Sequence, residues 1–340
     1  MKKVKIGILG CANIAQKYAI KAFQSIENSE VISIASRNCD KAKEWALRFG
    51  LSAEQSYDSL VMNPEIDAIY IPLPIGLHKE WIIKAAKSGK DIICEKSLAG
   101  SLADVKEILS VCDSNKVILY ENFMCDFHPQ HQEVLSLIKK EEIGKLFVFR
   151  GYFGFPMMTQ NNFRYSRELG GGCLNDAGSY TVFMARKIFG KEPVSVSANM
   201  FYDKERGVDM KGSAQLDFED GVSALIAFSF NAVYQNNYSV WGENGLINVA
   251  RAYAIPPDMK PEVFLVKNEK MKESTVQLDI SAANHFELIF SDFCDTILRR
   301  DKYEGKIKNI YSNILNQAKT LEAIRISSKE NRKIKISDIN

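Results

Sequence analysis

The sequence predicts an α/β protein whose two parts are built differently. In the first 121 residues, short apolar runs alternate with amphipathic helical stretches, which indicates a parallel sheet covered by helices on both faces. From about residue 125, strand-like runs follow one another without helices, which indicates an α+β domain with an antiparallel sheet. The chain has 340 residues, enough for two domains of roughly 150 residues each, and we place them at 1–121 and 122–340.

The strands of the first domain are predicted from apolar runs rich in β-branched residues. They cover residues 4–9, 31–35, 68–71, 91–94 and 117–120, and helices are expected over 13–26, 41–49, 79–87 and 102–112. Right-handed crossovers would place the carboxyl ends of these strands at one edge of the sheet, where such sheets bind ligands.

The second domain is predicted to begin with a helix over residues 129–139. Further helices are expected over 176–189, 285–298 and 310–326, and strands over 145–153, 194–201, 213–218, 222–230, 238–241 and 246–249. The dipeptide Asp220-Gly221 separates two of these strands and predicts a hairpin.

The composition excludes several classes of protein. The chain carries 44 basic and 42 acidic side chains, so a net charge of +2 favours neither nucleic acid nor a membrane as partner. Its first residues show no signal-type apolar core with a cleavage site, and it has no apolar run of 18 residues, so we expect neither a secretory leader nor a membrane span. Its seven cysteines form no Cys-x-x-Cys pair, and its four histidines suggest no metal set. These features predict a soluble cytoplasmic protein without a metal, with a small molecule as partner.

The turn after the first strand predicts a dinucleotide site. It reads Gly7-Ile-Leu-Gly10-Cys-Ala12-Asn-Ile-Ala15, a variant of the Gly-x-Gly-x-x-Gly/Ala motif. Gly10 would make the turn, Ala12 replaces the second glycine, and the helix N-terminus would face a pyrophosphate. A plain tight turn is the alternative, but the position at the first strand and helix favours cofactor binding.

The end of the second strand indicates which dinucleotide binds. NAD sites usually carry Asp or Glu at this place, whereas this chain has Ser36 and Arg37. A hydroxyl followed by a guanidinium suits a 2′-phosphate. We therefore expect NADP(H) to be preferred, with NAD(H) as the alternative. The alternative role for Arg37 is that of a solvated loop residue. The missing carboxylate also argues against a methyltransferase.

Catalytic candidates lie at two places in the chain. Glu95 and Lys96 follow the fourth strand, where a lysine can stabilise negative charge on an oxygen during hydride transfer. Asp176 and Tyr180 share a helix face behind the run Gly170-Gly-Gly172. A tyrosine near a lysine can act as a general acid, because the cation lowers the pKa of the phenol. Each candidate also has a structural alternative. Glu95 and Lys96 could be a surface ion pair, Asp176 could favour the start of its helix, and Tyr180 could be a packed aromatic ring.

Two further residues are candidates for ligand contacts. Arg164 precedes the glycine run and either grips a phosphate or sugar hydroxyls or forms a structural ion pair. His78 follows the third strand and either contacts a cofactor or caps a helix. The glycine run itself indicates that some group approaches the backbone closely.

Together these residues resemble the Gfo/Idh/MocA superfamily of oxidoreductases over essentially the whole chain. The segments that carry the resemblance are the Gly10 turn, Ile71-Pro-Leu-Pro74-Ile-Gly-Leu-His78, Glu95-Lys96, Glu121-Asn-Phe-Met124, Phe127-His-Pro-Gln130 and residues 170–180. The resemblance implies a nicotinamide-binding Rossmann domain and a C-terminal domain with an open, mostly antiparallel sheet. In the family that sheet commonly mediates oligomerisation, so we expect a homo-oligomer, a dimer or tetramer.

The resemblance also implies roles for single residues. Lys96 matches the catalytic lysine of the family's Glu-Lys-Pro motif, and Tyr180 falls where members carry a catalytic His or Tyr. Ser97 replaces the proline of that motif, Ile75 stands where Asn is frequent, and Ala12 stands where Gly is usual. The residues expected to bind the cofactor are Gly10, Cys11, Ala12, Asn13, Ile14, Ser36, Arg37, Leu73, Pro74, His78, Glu95, Lys96 and Asn122. Those expected to bind substrate are Arg164, Asp176 and Tyr180.

These observations predict an NADPH-dependent oxidoreductase that reduces a keto-sugar nucleotide. Tyr180 would donate the proton, Lys96 would polarise the oxygen, and Asp176 would orient the substrate. The similarity to sugar-nucleotide 3-ketoreductases, which carry the tyrosine, favours this function. The alternatives are an NAD(P)-dependent dehydrogenase of a free sugar, inositol or polyol, and a non-catalytic NADP-sensing protein.

Overall fold

The chain divides into two compact units in the computed structural model, which describes residues 2–159, 162–269 and 272–339. The first unit comprises Met1–Met124 and Phe286–Leu315, and the second comprises Cys125–His285 and Asn316–Asn340. Residues 286–315 therefore belong to the first unit, although the sequence placed them in the domain 122–340.

The first unit is built on a sheet of six parallel strands. They are β1 (Val4–Leu9), β2 (Ser29–Ala35), β3 (Ser52–Ala53), β4 (Ala68–Ile71), β5 (Asp91–Glu95) and β6 (Leu119–Asn122), in the order β3-β2-β1-β4-β5-β6. The helices between them are a π-helical turn (Ala15–Ala19) continued by α1 (Ile20–Ser25), then α2 (Cys39–Phe49), α3 (Tyr57–Met62), α4 (Ile75–Lys87) and α5 (Leu102–Ser114). This is the doubly wound Rossmann order, which reverses between β1 and β4, so ligands are expected at the carboxyl ends of these two strands.

Burial explains why these strands read as apolar runs. Every residue of β4 is buried, and so is every residue of β1 except Lys5. A strand covered by helices on both faces has no polar side, and its sequence therefore lacks alternation.

A late segment of the chain returns to the first unit. It contains α8 (His285–Leu298) except for its first residue, and α9 (Glu304–Glu330) as far as Leu315. Phe290 stacks on Phe23 with the ring centroids 3.8 Å apart. Arg300 forms an ion pair with the buried Asp91, at 2.6 Å between nitrogen and oxygen. These contacts account for the assignment of residues 286–315 to the first unit.

The second unit contains an open sheet of nine strands, together with α6 (Pro129–Lys139) and α7 (Ser179–Phe189), which continues a π-helical turn (Leu174–Gly178). The strands are β7 (Leu146–Phe155), β8 (Ser195–Asp203), β9 (Val208–Asp217), β10 (Ser223–Phe230), β11 (Gln235–Gly242), β12 (Gly245–Ala250), β13 (Glu262–Glu269), β14 (Lys272–Gln277) and β15 (Ile334–Lys335). Their order is β14-β13-β12-β11-β7-β10-β9-β8-β15, and only the pair β7–β10 is parallel. The predicted α/β fold class, with a mostly antiparallel second sheet, is confirmed.

The predicted hairpin is found between β9 and β10. Asp220 and Gly221 have φ angles of 63° and 74°, the left-handed conformation that such turns need. The strand predicted over 117–120 instead runs over Leu119–Asn122, because the Val117 N–H bonds to the Cys112 carbonyl at the end of α5.

Two predicted properties can be compared with the described residues. Within them, no helix is both long enough and apolar enough to cross a membrane. All seven cysteines lie among them, and each is a free thiol.

Candidate active site

The turn after β1 leaves no room for a side chain at Gly10. Its φ is +127°, and a Cβ at this position would lie 2.7 Å from Leu73 Cδ2. The Gly10 N–H donates to the Ala35 carbonyl at 3.0 Å. The positive φ and the close approach of Leu73 favour glycine at this position. The turn brings the ends of β1 and β2 together with the segment after β4. The first N–H groups of the helix that follows have no carbonyl partner within the helix. They can therefore donate hydrogen bonds to an anionic group.

Two cationic side chains lie beside this turn. Lys41 Nζ donates to the Cys11 carbonyl at 2.9 Å. Arg37 is exposed, and its hydrogen bonding and charge oppose the rise that burial causes in the pKa of Tyr57. Ser36 is buried between strand and helix, and its Oγ accepts the N–H of Asn38 at 3.2 Å. The end of β2 therefore offers positive charge and a hydroxyl, a set that fits a phosphate group.

The sequence reasoning missed Lys41 and Tyr57. Lys41 lies in the first turn of α2, four residues after Arg37. Its basic side chain so close to Arg37 could have indicated a second cation at this site. Tyr57 opens α3, which was not predicted, and no local pattern connected it to Arg37.

Glu95 is held at the end of β5 by the two neighbouring strands. Its Oε1 accepts from the Tyr70 hydroxyl on β4 and from Asn122 Nδ2 on β6, both at 2.6 Å. Burial raises the pKa of Glu95, while these hydrogen bonds and the adjacent Lys96 oppose the rise. The residue before Lys96 is thus fixed by three adjacent strands. Asn122 is fully buried and supports Glu95, and its contact with a cofactor stays a prediction.

His78 is held by the main chain on both sides of its ring. It is fully buried on α4, and both ring nitrogens face main-chain carbonyls: Nε2 lies 2.7 Å from the Leu73 oxygen, and Nδ1 lies 3.1 Å from that of Ser97. Burial lowers the pKa of His78. Both nitrogens are therefore engaged by the main chain, and the direct contact of His78 with a cofactor stays a prediction.

Arg164 and Asp176 form an ion pair in the second unit. Arg164 Nε lies 2.5 Å from Asp176 Oδ2, and the side chains are only 23% and 13% exposed. The guanidinium also lies over the Phe163 ring, 4.7 Å from its centroid. Of the two roles considered for Arg164, the ion pair is the one that the structure shows.

Tyr180 lies on α7, one turn beyond Asp176, and its ring is buried. The ring packs edge-on against Phe153, with centroids 5.4 Å apart, and at a tilt against Tyr253, at 5.9 Å. Aromatic packing thus fixes the ring and does not conflict with a chemical role for the hydroxyl.

The glycine run before α7 makes room for the protein's own chain. A Cβ on Gly171 would lie 2.3 Å from the Arg164 carbonyl oxygen, and one on Gly172 would lie 2.4 Å from Asp209 Oδ1. The Gly172 N–H donates to that same Arg164 carbonyl at 3.0 Å. The group that approaches the glycine backbone closely, as the sequence predicts, is therefore the main chain at Arg164. This approach places Arg164 within reach of Asp176.

The candidate residues form two groups, one in each unit. The first comprises residues that follow the carboxyl ends of β1, β2, β4 and β5 along one sheet edge, namely Gly10, Cys11, Ala12, Asn13, Ile14, Ser36, Arg37, Leu73, Pro74 and Lys96. The second comprises Arg164, Asp176 and Tyr180 at the start of α7. Among the described residues, no group of three or more His, Cys, Asp or Glu side chains is arranged to hold a metal ion.

Comparison with known proteins adds three findings to this geometry. The profile of an oxidoreductase family with an NAD-binding Rossmann fold matches residues 4–123, and the GFO/IDH/MocA C-terminal domain matches residues 131–248. The dTDP-3,4-didehydro-2,6-dideoxy-α-D-glucose 3-reductase of Saccharopolyspora spinosa is 36% identical over 272 residues, 80% of this chain and 82% of that protein. The D-xylose 1-dehydrogenase (NADP(+)) 2 of Haloferax volcanii is 33% identical over 271 residues, 79% of this chain and 82% of that protein.

A solved structure matches nearly the full length. It is that of KijD10, a 3-ketoreductase from Actinomadura kijaniata, in a complex with NADP and TDP-benzene. The TM-score is 0.89 at 30% identity, and the match covers 96% of this chain and 98% of that one.

Proposed function

This chain belongs to the Gfo/Idh/MocA family of oxidoreductases, and from that premise we propose that it uses NADPH to reduce the ketone of a keto-sugar nucleotide. The observation that carries the proposal is the position of Lys96, directly after a buried strand, at the same sheet edge as the Gly10 turn. Similarity to the Saccharopolyspora spinosa 3-reductase and to KijD10 supports this substrate class.

The residues at this sheet edge fit NADPH. The cramped Gly10 turn and the helix start behind it suit a pyrophosphate, and Ser36 with the cations Arg37 and Lys41 suits a 2′-phosphate. KijD10, which was solved with NADP, supports the choice of the phosphorylated dinucleotide. NADH would lack the group that these side chains would bind.

The proposed mechanism assigns one task to each side chain. Bound NADPH supplies the hydride that the ketone carbon accepts. The oxygen gains negative charge as this happens, and the Lys96 ammonium stabilises it by donating a hydrogen bond. Tyr180 gives its hydroxyl proton to the oxygen and recovers one from solvent, which completes the alcohol. Asp176, held by Arg164, accepts a hydrogen bond from a substrate hydroxyl and orients the sugar.

The direct test is an activity assay on purified protein with NADPH or NADH and a panel of keto-sugars, free and linked to dTDP. We expect loss of reduced-nicotinamide absorbance with the nucleotide-linked substrates and a clear preference for NADPH. Absence of turnover with every keto-sugar nucleotide would refute the proposed substrate class.

The second candidate is an NADP-dependent dehydrogenase of a free sugar, which the Haloferax volcanii relative favours. The same panel run in reverse, with NADP⁺ and free sugars, inositol or polyols, separates the two directions. A non-catalytic NADP sensor would bind NADPH without turnover on any carbohydrate. The presence of both Lys96 and Tyr180 argues against that role.

We further propose that the nine-stranded sheet joins copies of the chain into a homo-oligomer. Strand pairing puts Tyr152, Phe201, Leu225 and Trp241 on one face, and all four are exposed. An apolar patch of this kind is typical of an interface. We expect light scattering to show a dimer or tetramer that Leu225→Asp dissociates, whereas Leu47→Asp, at an 89% exposed leucine on α2, leaves it intact. A monomeric wild type would refute the proposal.

We propose the cytoplasm as the location of the protein. The seven free thiols fit a reducing compartment, where unpaired cysteines persist. Fractionation of cells that make a tagged full-length chain tests the location, and recovery in an oxidising compartment would contradict it.

A further inference from the structure

A buried histidine connects the two segments that border the proposed cofactor site. His78 lies in the first turn of α4 with no exposed surface. Its Nε2 is 2.7 Å from the carbonyl oxygen of Leu73, in the segment after β4. Its Nδ1 is 3.1 Å from the carbonyl oxygen of Ser97 and 3.2 Å from that of Leu98, in the segment after β5. The ring therefore bridges the end of β4 to the residues that follow Lys96.

All three partners are carbonyl oxygens, which only accept hydrogen bonds. A neutral imidazole has one N–H and can donate to one side, whereas an imidazolium can donate to both sides. Burial and the nearby charge of Lys96 lower the pKa of His78, so the ring is neutral near pH 7. It contributes one donated hydrogen bond and a tightly packed ring to this bridge.

Glu121 holds the same segment from the other side. It lies on β6, and its Oε1 accepts the N–H of Leu98 at 2.8 Å. The N–H of Leu98 is therefore bonded to Glu121, and its carbonyl oxygen lies 3.2 Å from Nδ1 of His78. Ser97 and Leu98 are only 2% and 1% exposed. Water cannot satisfy buried main-chain groups, so the loss of these partners weakens the local structure.

We propose that His78 and Glu121 are positioning residues for Lys96: they fix the main chain at Ser97 and Leu98 and thereby the place of the ammonium group. The motif that this chain resembles has a proline after the lysine, whose ring restrains the backbone. Here Ser97 provides no ring, and the two side chains provide the restraint. The inference rests on the proposed function only in taking Lys96 as the catalytic lysine.

The test uses paired substitutions in the full-length protein. His78→Phe keeps an aromatic ring and removes the N–H, whereas His78→Gln keeps a donor. Glu121→Leu removes the acceptor, whereas the carboxamide oxygen of Glu121→Gln still accepts the Leu98 N–H. His131→Phe is the matched control, because His131 is equally buried and bonds a carbonyl, that of Ala252, in the second unit.

The first measurement is hydrogen–deuterium exchange, which does not depend on turnover. We expect His78→Phe and Glu121→Leu to accelerate exchange at residues 96–98 on the order of tenfold, the scale of one lost hydrogen bond. Exchange in the β1 peptide should stay as in the wild type. The two Gln variants should restore slow exchange, and His131→Phe should leave residues 96–98 unchanged.

The second measurement is steady-state kinetics with protiated and deuterated NADPH. A displaced ammonium slows hydride transfer, so kcat should fall on the order of tenfold with little change in substrate KM, and the isotope effect should grow. The Gln variants should recover both values.

Several outcomes would overturn the inference. These are unchanged exchange at 96–98, equal acceleration throughout the first unit in the Phe and Gln variants, and faster local exchange with an unchanged kcat. If His78→Phe does not fold, the Glu121 pair decides alone. If the wild type reduces no keto-sugar nucleotide, the proposed function fails, while the exchange measurement still decides whether the two side chains hold the segment.

Discussion

Lys96 and Tyr180 each contribute one functional group that a near-isosteric substitution removes. Lys96→Met deletes the ammonium that would stabilise the oxygen, and Tyr180→Phe deletes the proton donor while its ring packing against Phe153 and Tyr253 remains. We expect each variant to lower kcat at least about 100-fold. NADPH affinity, measured by fluorescence titration, should stay near that of the wild type. Near-full activity in both variants would contradict the mechanism.

Arg37 should determine the preference for NADPH. Its guanidinium is exposed beside the Gly10 turn, and a charge-assisted bond to a phosphate contributes about 1.5–3 kcal/mol. We therefore expect Arg37→Ser to weaken NADPH binding roughly 10- to 100-fold in calorimetric titrations and to change NADH binding little. Arg48→Ser removes the same charge from the far end of α2 and is the matched control. Equal losses for both dinucleotides would show that Arg37 does not bind the 2′-phosphate.

Residues whose role depends on neighbours in sequence were predictable, and those whose role depends on distant partners were not. The Gly10 turn, Ser36-Arg37 and Glu95-Lys96 could be interpreted from their place after a strand. The bonds from Tyr70 and Asn122 to Glu95 span 25 and 27 residues and exist only because β4, β5 and β6 are adjacent. A sequence pattern without the strand order contains no sign of such contacts.

The segment that joins the Arg164 turn to α7 depends on Gly171. An alanine Cβ would lie 2.3 Å from the Arg164 carbonyl oxygen and 2.8 Å from that of Ser166, so the backbone would have to move. We expect Gly171→Ala to lower the free energy of unfolding by about 1–3 kcal/mol and to raise substrate KM, because Arg164 would lose its place against Asp176.

Gly305→Ala provides the control for that substitution. Gly305 is the second residue of α9 and has open space around it, so alanine should fit there and change the free energy of unfolding by less than about 1 kcal/mol. Urea unfolding measures both changes. If Gly171→Ala were as stable and active as the wild type, the glycine run would not be needed to seat the Arg164 segment.

Elements with a strong periodic pattern were predicted well, and polar or very short ones were not. The helices over 129–139 and 285–298 were predicted to their observed ends. By contrast, β3 and β15 contain two residues each, and every residue of β14 is exposed. β3 and β14 are held by pairing with a neighbour rather than by burial, so they lack the apolar alternation that a prediction uses. β15 buries Ile334 but is too short to show such an alternation.

The response of the whole molecule to acid should depend on its histidines rather than on its net charge. The chain carries a charge of only +2 but contains four histidines, and all four are buried. Burial lowers the pKa of His128 to about 4 and the pKa values of His131 and His285 to about 3, and it also lowers the pKa of His78. His128 and His285 lie edge to face, 5.9 Å apart, so the charge on one disfavours the charge on the other.

Stability should therefore fall as the pH drops below about 6.5, the pKa of a histidine in the unfolded chain. Below that pH the unfolded chain binds more protons than the folded protein, and each such histidine lowers the free energy of unfolding by about 1.4 kcal/mol per pH unit. Burial raises the pKa values of Asp91, Glu95 and Asp209, which acts in the opposite direction at lower pH. His131→Gln isolates the histidine contribution: in urea unfolding between pH 6.5 and 5 its slope should be shallower than that of the wild type by about 1.4 kcal/mol per pH unit. Parallel slopes would mean that His131 takes up its proton equally in the folded and unfolded states, and the burial argument would fail for the second unit.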